Sequence, residues 1–204
     1  MSQTTIDACL RNNLTVINGA VVTTTGGKPD GYVTLASANL NANCKGLNFG
    51  TGSFSVSFWV NATSNPAGSY NVLGKGGTNA GTAGWMFVHN ATPKFVFQVS
   101  DGATLFTNGG SGVVIGTATW RHIVGVADRG AGTMSLYLDG TNTGSGSIAG
   151  MGSVNSTADL LFANLTTAFN GLISDAGIWS RALTQTDVTN LRNAGNGIPY
   201  PFTR

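Results

Sequence analysis

The acidic residues are the first side chains to consider, because most glycosidases hold two carboxyl groups, one protonated and one ionised, at a fixed separation. All eight acidic residues are aspartates, and the sequence contains no glutamate. They are dispersed, since the two that lie closest along the chain, Asp128 and Asp139, are eleven positions apart. The pattern argues against a glycoside hydrolase, although folding could still bring two aspartates together.

A serine–histidine–aspartate arrangement is possible by residue count, because His122 and several aspartates are present. His122 shares one side of an alternating segment with Trp120 and Val124, which predicts a packed, hydrogen-bonded histidine rather than a catalytic base. No Gly-x-Ser-x-Gly segment accompanies it.

The cysteines and histidines form no zinc-binding pattern, because Cys9, Cys44, His89 and His122 are too few and too far apart. A Cys9–Cys44 disulfide could pin the N-terminal segment to the body of the protein. Two free thiols are the alternative, and the sequence leaves both open.

Aromatic side chains could stack on sugar rings. Trp85 follows a glycine-rich loop, and we predict it to be the exposed platform of a ligand site. The residues predicted to bind ligand are Trp85, His89, Asn90 and Asp101. The other tryptophans lie in apolar strands and are predicted to pack in the core or between sheets: Trp59, Trp120 and Trp179.

Asp101 is also a candidate for calcium, which takes six to eight oxygen ligands, usually including a carboxylate. Asn90, or carbonyl groups of a neighbouring loop, could complete such a site. The alternative is that Asp101-Gly102 is a plain turn, as we predict for Asp128 and Asp139-Gly140. No other cofactor is expected.

The composition excludes several classes of partner. Only 9% of residues are charged, the formal net charge is +2, and the ten basic residues form no run, so no nucleic-acid partner is expected. No apolar segment reaches the roughly 20 residues that span a membrane. Residues 1–13 begin with Met and have neither a basic start nor an apolar core, so no secretory signal is predicted. Gly74-Lys75-Gly76-Gly77 lacks the remaining spacing of a phosphate-binding loop.

The elements that must position these residues are mostly strands. The segment 117–140 predicts a long hairpin at the centre of an antiparallel sheet, with His122 on one side and Ile123, Gly125 and Ala127 on the other. Period-two alternation or β-prone composition predicts further strands at 14–25 (broken by a hairpin turn at Asn18-Gly19), 32–35, 54–60, 71–74, 85–88, 95–99, 104–106, 113–115, 160–162 and 171–179. Polar loops are predicted from residue 36 to Cys44 and from 141 to 157.

One helix is clearly signalled. Thr184 is a predicted N-cap, and Asp187 three residues later completes a capping box. Leu183 and Val188 form a hydrophobic staple, and the segment 193–195 ends the helix. We expect about two turns that cover the sandwich.

The organisation is therefore one all-β domain at 14–195, an N-terminal arm at 1–13 and an extended tail at 196–204. We predict that the arm and the aromatic tail make assembly contacts with neighbouring chains. The residues proposed for this role are Cys9, Arg11, Tyr200 and Phe202.

Five segments in a fixed order identify a family resemblance: FSVSFWV (54–60), NVLGKGG (71–77), KFVFQVSDG (94–102), TATWRHIVGV…MSLYLDG (117–140) and FNGLISDAGIWSRALTQTDVTNLRNAG (169–195). Over residues 31–195 this order resembles the laminin-G-like, concanavalin A-like jelly-roll domains. The resemblance implies two packed antiparallel sheets that meet ligands at rim loops or on a concave face, sometimes through a rim calcium. It also implies that a catalytic relative would carry Glu-x-Asp-x-(x)-Glu on one strand, which this chain cannot form. Ser174 stands where similar relatives usually carry Asp.

Two functions follow from the resemblance. The first is a non-catalytic structural or decoration protein on a phage virion, because such folds occur there and because the chain has low charge and no predicted signal. It would associate with other virion proteins or with itself and display a surface that touches host glycans. The second is a free or cell-surface carbohydrate-binding or adhesion module. We expect a virion-surface or extracellular location and no enzymatic activity.

Overall fold

The computed structural model describes residues 14–17, 21–23, 25–29, 31–35, 39–42, 47–65, 67–77, 79–92, 94–108, 113–114, 116–163 and 169–198. Within these ranges the strands are β1 (Leu14–Ile17), β2 (Val21–Thr23), β3 (Tyr32–Leu35), β4 (Asn39–Ala42), β5 (Phe54–Ala62), β6 (Tyr70–Gly76), β7 (Gly84–His89), β8 (Lys94–Ser100), β9 (Leu105–Thr107), β10 (Val113–Val114), β11 (Arg121–Asp128), β12 (Thr133–Leu138), β13 (Thr141–Ser147), β14 (Leu160–Phe162) and β15 (Gly171–Trp179). The helix α1 is Gln185–Arg192, and a 3-10 turn, Asn193–Gly195, follows it. None of the helical residues described forms a segment long and apolar enough to cross a membrane.

The strands form two antiparallel sheets. One has eight strands in the order β1-β4-β14-β6-β7-β8-β10, with β9 also paired to β8. The other has seven strands in the order β13-β12-β11-β5-β15-β3-β2. The predicted class, an all-β sandwich of two antiparallel sheets with one short C-terminal helix, is confirmed.

The core lies between the two sheets and is rich in phenylalanine. From the seven-stranded sheet, Phe54 and Phe58 point inward and are buried, and Phe58 packs edge-on against Phe87 of the opposite sheet at 4.9 Å between ring centroids. Phe87 and Phe97 stack at 4.8 Å. They approach β11 so closely that a Cβ on Gly125 would lie 2.6 Å from Phe87. Only glycine leaves room for these two rings at this point of β11.

The central hairpin is confirmed in pairing and in face. β11 pairs with β12 so that Ile123 lies opposite Leu138 and Asp128 opposite Thr133. Ile123 and Ala127 belong to the core, whereas Val124 and Val126 lie on the outer face of the seven-stranded sheet. This follows from the period of two in a strand.

The helix covers part of that outer face. The Thr184 side chain accepts from the Asp187 backbone N–H, and the Asp187 side chain accepts from the Thr184 backbone N–H, so the predicted capping box is confirmed. Val188 is buried against Val124, Val126 and Tyr137. The outer face of β11 and β12 is therefore a second, smaller apolar cluster.

The hairpin predicted at Asn18-Gly19 is wrong. β1 pairs with β4 in the eight-stranded sheet, whereas β2 pairs with β3 in the seven-stranded sheet. The two strands therefore lie in different layers of the sandwich: β1 is an edge strand of the eight-stranded sheet, and β2 is an edge strand of the seven-stranded sheet. Local turn chemistry cannot signal such a crossing.

Two predicted loops contain strands. β4 lies in the segment expected to be a polar loop, and β13 lies in the glycine- and serine-rich segment 141–157. Neither segment shows apolar alternation in its sequence. For β13 the reason is its place at the edge of the sheet, which leaves most of its residues partly or fully exposed. The segment 74–77 is likewise mostly strand: Lys75 lies in β6, is buried, and donates to the carbonyl oxygens of Ser156 and Ala158.

The proposed assembly contacts Cys9, Arg11, Tyr200 and Phe202 lie outside the described residues, as does Cys44. Of the segment expected to be an extended tail, only residues 196–198 are described. Ile198 is buried, so the first part of that segment belongs to the body of the protein.

Candidate functional site

Trp85 is not an exposed platform, and that prediction is wrong. Its side chain is 1% exposed and belongs to the core between the sheets. It lies at the start of β7, paired with Lys75 and Val99, and packs against Phe54 at 6.4 Å between ring centroids. A glycine-rich loop before a tryptophan suggested exposure, but the strand that follows turns the side chain inward.

His89 is equally buried, at 1% exposure, and no ligand can reach it in this conformation. Its ring stacks on Phe95 at 5.0 Å and contacts the edge of Phe169 at 5.9 Å. Burial lowers the pKa of His89 to about 4, so the ring is neutral at pH 7. Its Nε2 has no hydrogen-bond partner among the described residues.

Asn90 and Asp101 lie at opposite ends of β8. The seven residues of β8 separate them by roughly 20 Å at about 3.3 Å a residue, so they cannot share a calcium ion. Asn90 Oδ1 accepts from the backbone N–H groups of Thr92 and Lys94, which makes it the turn residue between β7 and β8.

The Asp101 carboxylate is occupied by backbone donors. Its oxygens accept from the N–H groups of Gly152 (2.8 Å), Thr104 (2.8 Å) and Ala103 (2.9 Å), and these bonds lower the pKa of Asp101 to about 2. The described residues contain no group of three or more His, Cys, Asp or Glu side chains that could hold a metal ion. The donor set at Asp101 therefore fits a turn that ties two loops together, and it does not fit calcium.

His122 is a packed histidine, as predicted. It is buried, and its Nε2 lies 2.8 Å from Ser57 Oγ, which is also buried. Asp139 contacts the backbone N–H of His122 and not its ring. Burial and then the charge of Arg192 lower the pKa of His122 to about 3. A neutral, enclosed Ser57–His122 pair with no carboxylate on the imidazole is not arranged for nucleophilic catalysis.

A concave site among the described residues lies elsewhere, at one end of the seven-stranded sheet. This site, the Trp120 cleft, has a volume of about 370 Å³. Its walls come from five separate parts of the chain: Lys28, Trp59, Ala118, Thr119, Trp120, Arg121, Asp139, Arg192 and Gly195. Small-molecule sites usually measure about 300–1,000 Å³, so the cleft is large enough to hold a small ligand.

Trp120 provides the aromatic surface of the cleft. It immediately precedes β11, is half-buried, and packs against Tyr32 of β3 at 6.2 Å between ring centroids. Trp59 lies nearby on β5 and is 2% exposed, with its ring 5.0 Å from that of His122. A Cβ on Gly197 would come within 3.1 Å of Trp59 Nε1, so the chain after α1 runs closely over this ring.

The turn before β11 and the turn after β12 hold Trp120 and Arg121 in place. The backbone N–H of Ala118 donates to the carbonyl oxygen of Ala62 at the end of β5 (2.8 Å). Asp139 Oδ2 lies 3.0 Å from Arg121 Nη1, and Asp139 Oδ1 accepts from the His122 N–H. Asp139 is a turn residue as predicted, and it also orients the guanidinium of Arg121.

Two further cations reach the cleft from distant segments. Ser174 Oγ donates to the carbonyl oxygen of Gly31 (2.6 Å) and accepts from the Lys28 N–H (3.2 Å), which fixes the loop that carries Lys28. Arg192 is the last residue of α1, and Gln185 in its first turn donates to the carbonyl oxygen of Gly140 (2.6 Å), tying the helix to the cleft.

Half of the unpartnered buried side-chain nitrogens among the described residues lie at or beside the cleft. Trp59 Nε1, Arg121 Nε and Arg192 Nε line it, and His122 Nδ1 lies beneath Trp59; none has a hydrogen-bond partner among the residues described. Buried donors without partners are rare in folded proteins. Their accumulation at one place marks this cleft as the candidate functional site.

A second concave surface, the Trp179 groove, is smaller. It has a volume of about 200 Å³ and is lined by Trp179, Arg181, Leu183, Asp187, Asn190, Leu191 and Ile198. The two charged side chains in its lining bind each other, because Arg181 donates two hydrogen bonds of 2.7 and 3.1 Å to Asp187. The Trp179 groove falls below the usual size of a ligand site.

The tryptophans Trp59, Trp120 and Trp179 were predicted to pack in the core or between the sheets. Only Trp59 is fully buried, and it lies on the outer face of its sheet rather than between the sheets, while Trp120 and Trp179 are half-buried. A signal for Trp120 was available, since it falls on the side of the hairpin opposite Ile123, Gly125 and Ala127. That outer side is covered only where another element lies over it.

Comparison with known proteins agrees with the fold. The family Laminin_G_3, described as the concanavalin A-like lectin/glucanases superfamily, matches residues 25–189. The chain belongs to this superfamily. It is a lectin-like jelly-roll domain, and the resemblance seen in the sequence is confirmed.

Several solved structures share the fold. They include the binding domain of botulinum neurotoxin serotype G (TM-score 0.70, 19% identity, 88% of this chain and 45% of that chain). The binding domain of Paraclostridial Mosquitocidal Protein 1 is similar (TM-score 0.70, 20% identity, 90% and 47%). So is the botulinum neurotoxin serotype D ligand binding domain, solved in complex with N-acetylneuraminic acid (TM-score 0.68, 17% identity, 87% and 44%).

This lectin-like domain spans less than half the length of those three binding domains. At these identities the likeness concerns the fold alone. No protein of curated function matches the sequence.

Proposed function

We propose that this lectin-like domain is a non-catalytic recognition module that binds a glycan, and that the Trp120 cleft is its binding site. The observation that carries the proposal is a half-buried tryptophan set among hydrogen-bonding side chains in a cleft of about 370 Å³. Ligand sites combine apolar and aromatic surface with a few placed polar groups, and this cleft has both. The superfamily, which includes lectins, supports the same reading.

A glycanase function is not favoured, because the only carboxylate that lines the cleft is Asp139. Glycoside hydrolysis by the usual route needs two carboxyl groups about 5–10 Å apart. The Asp139 carboxylate is also bound by Arg121 and by the His122 N–H, which directs it at the protein. The arrangement suits binding without bond cleavage.

The proposal is tested by Trp120→Ala, measured on a glycan array with neutral and acidic sugars and then by calorimetry on the glycans that bind. We expect at least about a tenfold loss of affinity, by analogy with the stacking of a base on an aromatic side chain, which is worth about 1–3 kcal/mol. Trp179→Ala is the matched control, since Trp179 is a half-buried tryptophan of the same sheet that lines the other groove.

Thermal unfolding of both variants separates binding from folding. Retained glycan binding by folded Trp120→Ala, or equal losses in the two variants, would rule out the cleft as the site. If the wild-type chain retains no glycan on the array, the recognition function itself is contradicted.

We further propose, as the biological setting, display on a phage virion or another extracellular surface. The sequence features behind this proposal are the low charge and the family resemblance to virion and adhesion modules. Self-association or docking to other virion proteins through segments 1–13 and 199–204 belongs to the same proposal.

A further inference from the structure

The charges that line the Trp120 cleft are unbalanced. Lys28, Arg121 and Arg192 contribute three cations, whereas Asp139 is the single carboxylate in the lining. Asp139 pairs with Arg121 at 3.0 Å. Neither Lys28 nor Arg192 makes an ion pair with any residue that the structure describes.

These cations are brought together from segments far apart in the sequence, in a protein with only ten basic residues. Lys28 precedes β3, Arg121 begins β11 and Arg192 ends α1. Like charges repel, so their convergence without matching carboxylates raises the electrostatic potential of the cleft. His122 beneath them adds no charge, since its lowered pKa keeps it neutral.

The unpartnered buried donors carry positive partial charge, which has the same sign as the charge of the cations. Trp59 is 2% exposed and its Nε1 has no partner, and Arg121 Nε and Arg192 Nε are also without partners in the described part of the chain. Each N–H group places positive partial charge beside the cleft with no acceptor to offset it. A neutral sugar would leave most of this positive potential uncompensated.

We infer that the Trp120 cleft takes a negatively charged saccharide, whose anionic group is a carboxylate or a sulfate ester. The inference rests on the proposed function and adds the class of sugar. The anionic group binds between Lys28 and Arg192, neither of which forms an ion pair within the described part of the chain, and the guanidinium of Arg121 is held near it by Asp139. The sugar ring lies against Trp120.

The test uses the full-length protein, Lys28→Gln, Arg192→Gln and the double variant. The side chain of Lys28 makes no hydrogen bond within the described residues, and its fold-stabilising contacts come from its backbone, so Lys28→Gln removes charge without removing those bonds. Lys94→Gln is the matched control, because Lys94 is a half-buried lysine of β8 in the other sheet. Each variant is first checked by thermal unfolding.

Three probes of equal length are titrated by calorimetry: an oligogalacturonide, a sulfated galacto-oligosaccharide and a neutral galacto-oligosaccharide. We expect the wild type to bind one or both acidic probes and the neutral probe at least about tenfold more weakly, which is about one charge-assisted hydrogen bond. Each single cleft variant should lose about five- to tenfold, the double variant more, and Lys94→Gln almost nothing. Comparison of the two acidic probes decides between carboxylate and sulfate.

Each contrary result has its own meaning. Tight binding of the neutral probe that is lost in Trp120→Ala but unchanged in the lysine and arginine variants would overturn the inference and leave the proposed function intact. Equal losses of affinity in Lys28→Gln and Lys94→Gln would show that the acidic probes are attracted by the overall charge of the protein and not by the cleft. This result would also overturn the inference. Binding of no saccharide by the wild type would contradict the proposed function itself.

Discussion

At the scale of single residues, the two histidines couple stability to pH. His89 and His122 are buried and neutral, with pKa values lowered to about 4 and about 3 from the ordinary value of 6.5. Both stabilise the fold fully above pH 6.5. As the pH falls below 6.5 the unfolded chain takes up protons that the folded protein cannot, so this stability is lost towards pH 4 and 3.

His89→Phe should remove part of that acid sensitivity. His89 lies between Phe95 and Phe169 with its Nε2 unpartnered, so a phenyl ring suits its surroundings and leaves no polar atom unsatisfied. A shift from 6.5 to about 4 corresponds to about 3 kcal/mol of unfolding free energy between pH 7 and pH 4. Urea unfolding at pH 7, 5 and 4 measures it.

We expect the variant to lose about 3 kcal/mol less than the wild type over this range. The remaining loss belongs to His122 and, below about pH 4, to carboxylates such as Asp101, whose lowered pKa places its contribution between pH 4 and 2. Identical pH dependence of wild type and variant would show that His89 is not neutral and enclosed.

At the scale of elements, the start of α1 is stabilised by the capping box in its first turn. Thr184→Ala removes the side-chain acceptor for the Asp187 N–H and half of the capping box. The expected loss is about 1 kcal/mol in the free energy of unfolding, measured by urea denaturation. Thr186→Ala is the control, because Thr186 is an exposed residue of the same helix turn and alanine there should be neutral or slightly stabilising.

If Thr184→Ala and Thr186→Ala unfold at the same urea concentration, the cap contributes nothing. Asp187 has several roles at this turn, since it accepts from the Thr184 N–H and pairs with Arg181. The hydrogen bonds from Arg181 and Thr184 hold its pKa well below the ordinary value. Its replacement would therefore not isolate the cap.

The helix could be predicted from sequence because its signals are local, as Leu183, Thr184, Asp187 and Val188 lie within six positions. The central hairpin was predictable for the same reason. The Asn18-Gly19 turn failed because pairing of β1 with β4 and β2 with β3 is decided between layers of the sandwich. Sheet partners that are distant in sequence leave no trace in a local pattern.

The candidate site was missed for a related reason. Trp85 and Trp120 each lie at the junction of a glycine-containing loop and a strand, and the sequence does not say which side of each sheet another element will cover. The structure buries Trp85 between the sheets and leaves Trp120 half-buried beside Arg121. Lys28 and Arg192 are brought next to Trp120 and Arg121 only by the fold. No rule based on spacing in the sequence could therefore have predicted the cleft.

At the scale of the whole molecule, the sandwich at 14–198 should fold without its terminal segments. The described residues contain the core, and Ile198 is buried in the Trp179 groove, so a truncation should end after residue 198. We expect removal of 1–13 or of 199–204 to leave the melting temperature nearly unchanged. Under the proposed virion role, the same truncations should lower the mass of any assembly measured by light scattering at several concentrations.

Equal masses for the full chain and both truncations would contradict assembly through these segments. A stable monomer in every case would favour the free binding module over the virion component. Unfolding of either truncation would instead mean that the segment belongs to the sandwich.

The order of strands in the seven-stranded sheet bears on how the protein is made. β15 lies between β5 and β3, yet it is synthesised more than a hundred residues after β5. At about 5–20 residues per second, a ribosome leaves one edge of β5, with its run of Phe54 to Val60, unpaired for roughly 6–24 s. During that interval the nascent chain presents an apolar strand edge that can recruit another nascent chain. Slow translation or a high density of ribosomes on the message should therefore favour aggregation, and a chaperone that shields β5 until residue 179 emerges should raise the yield of folded protein.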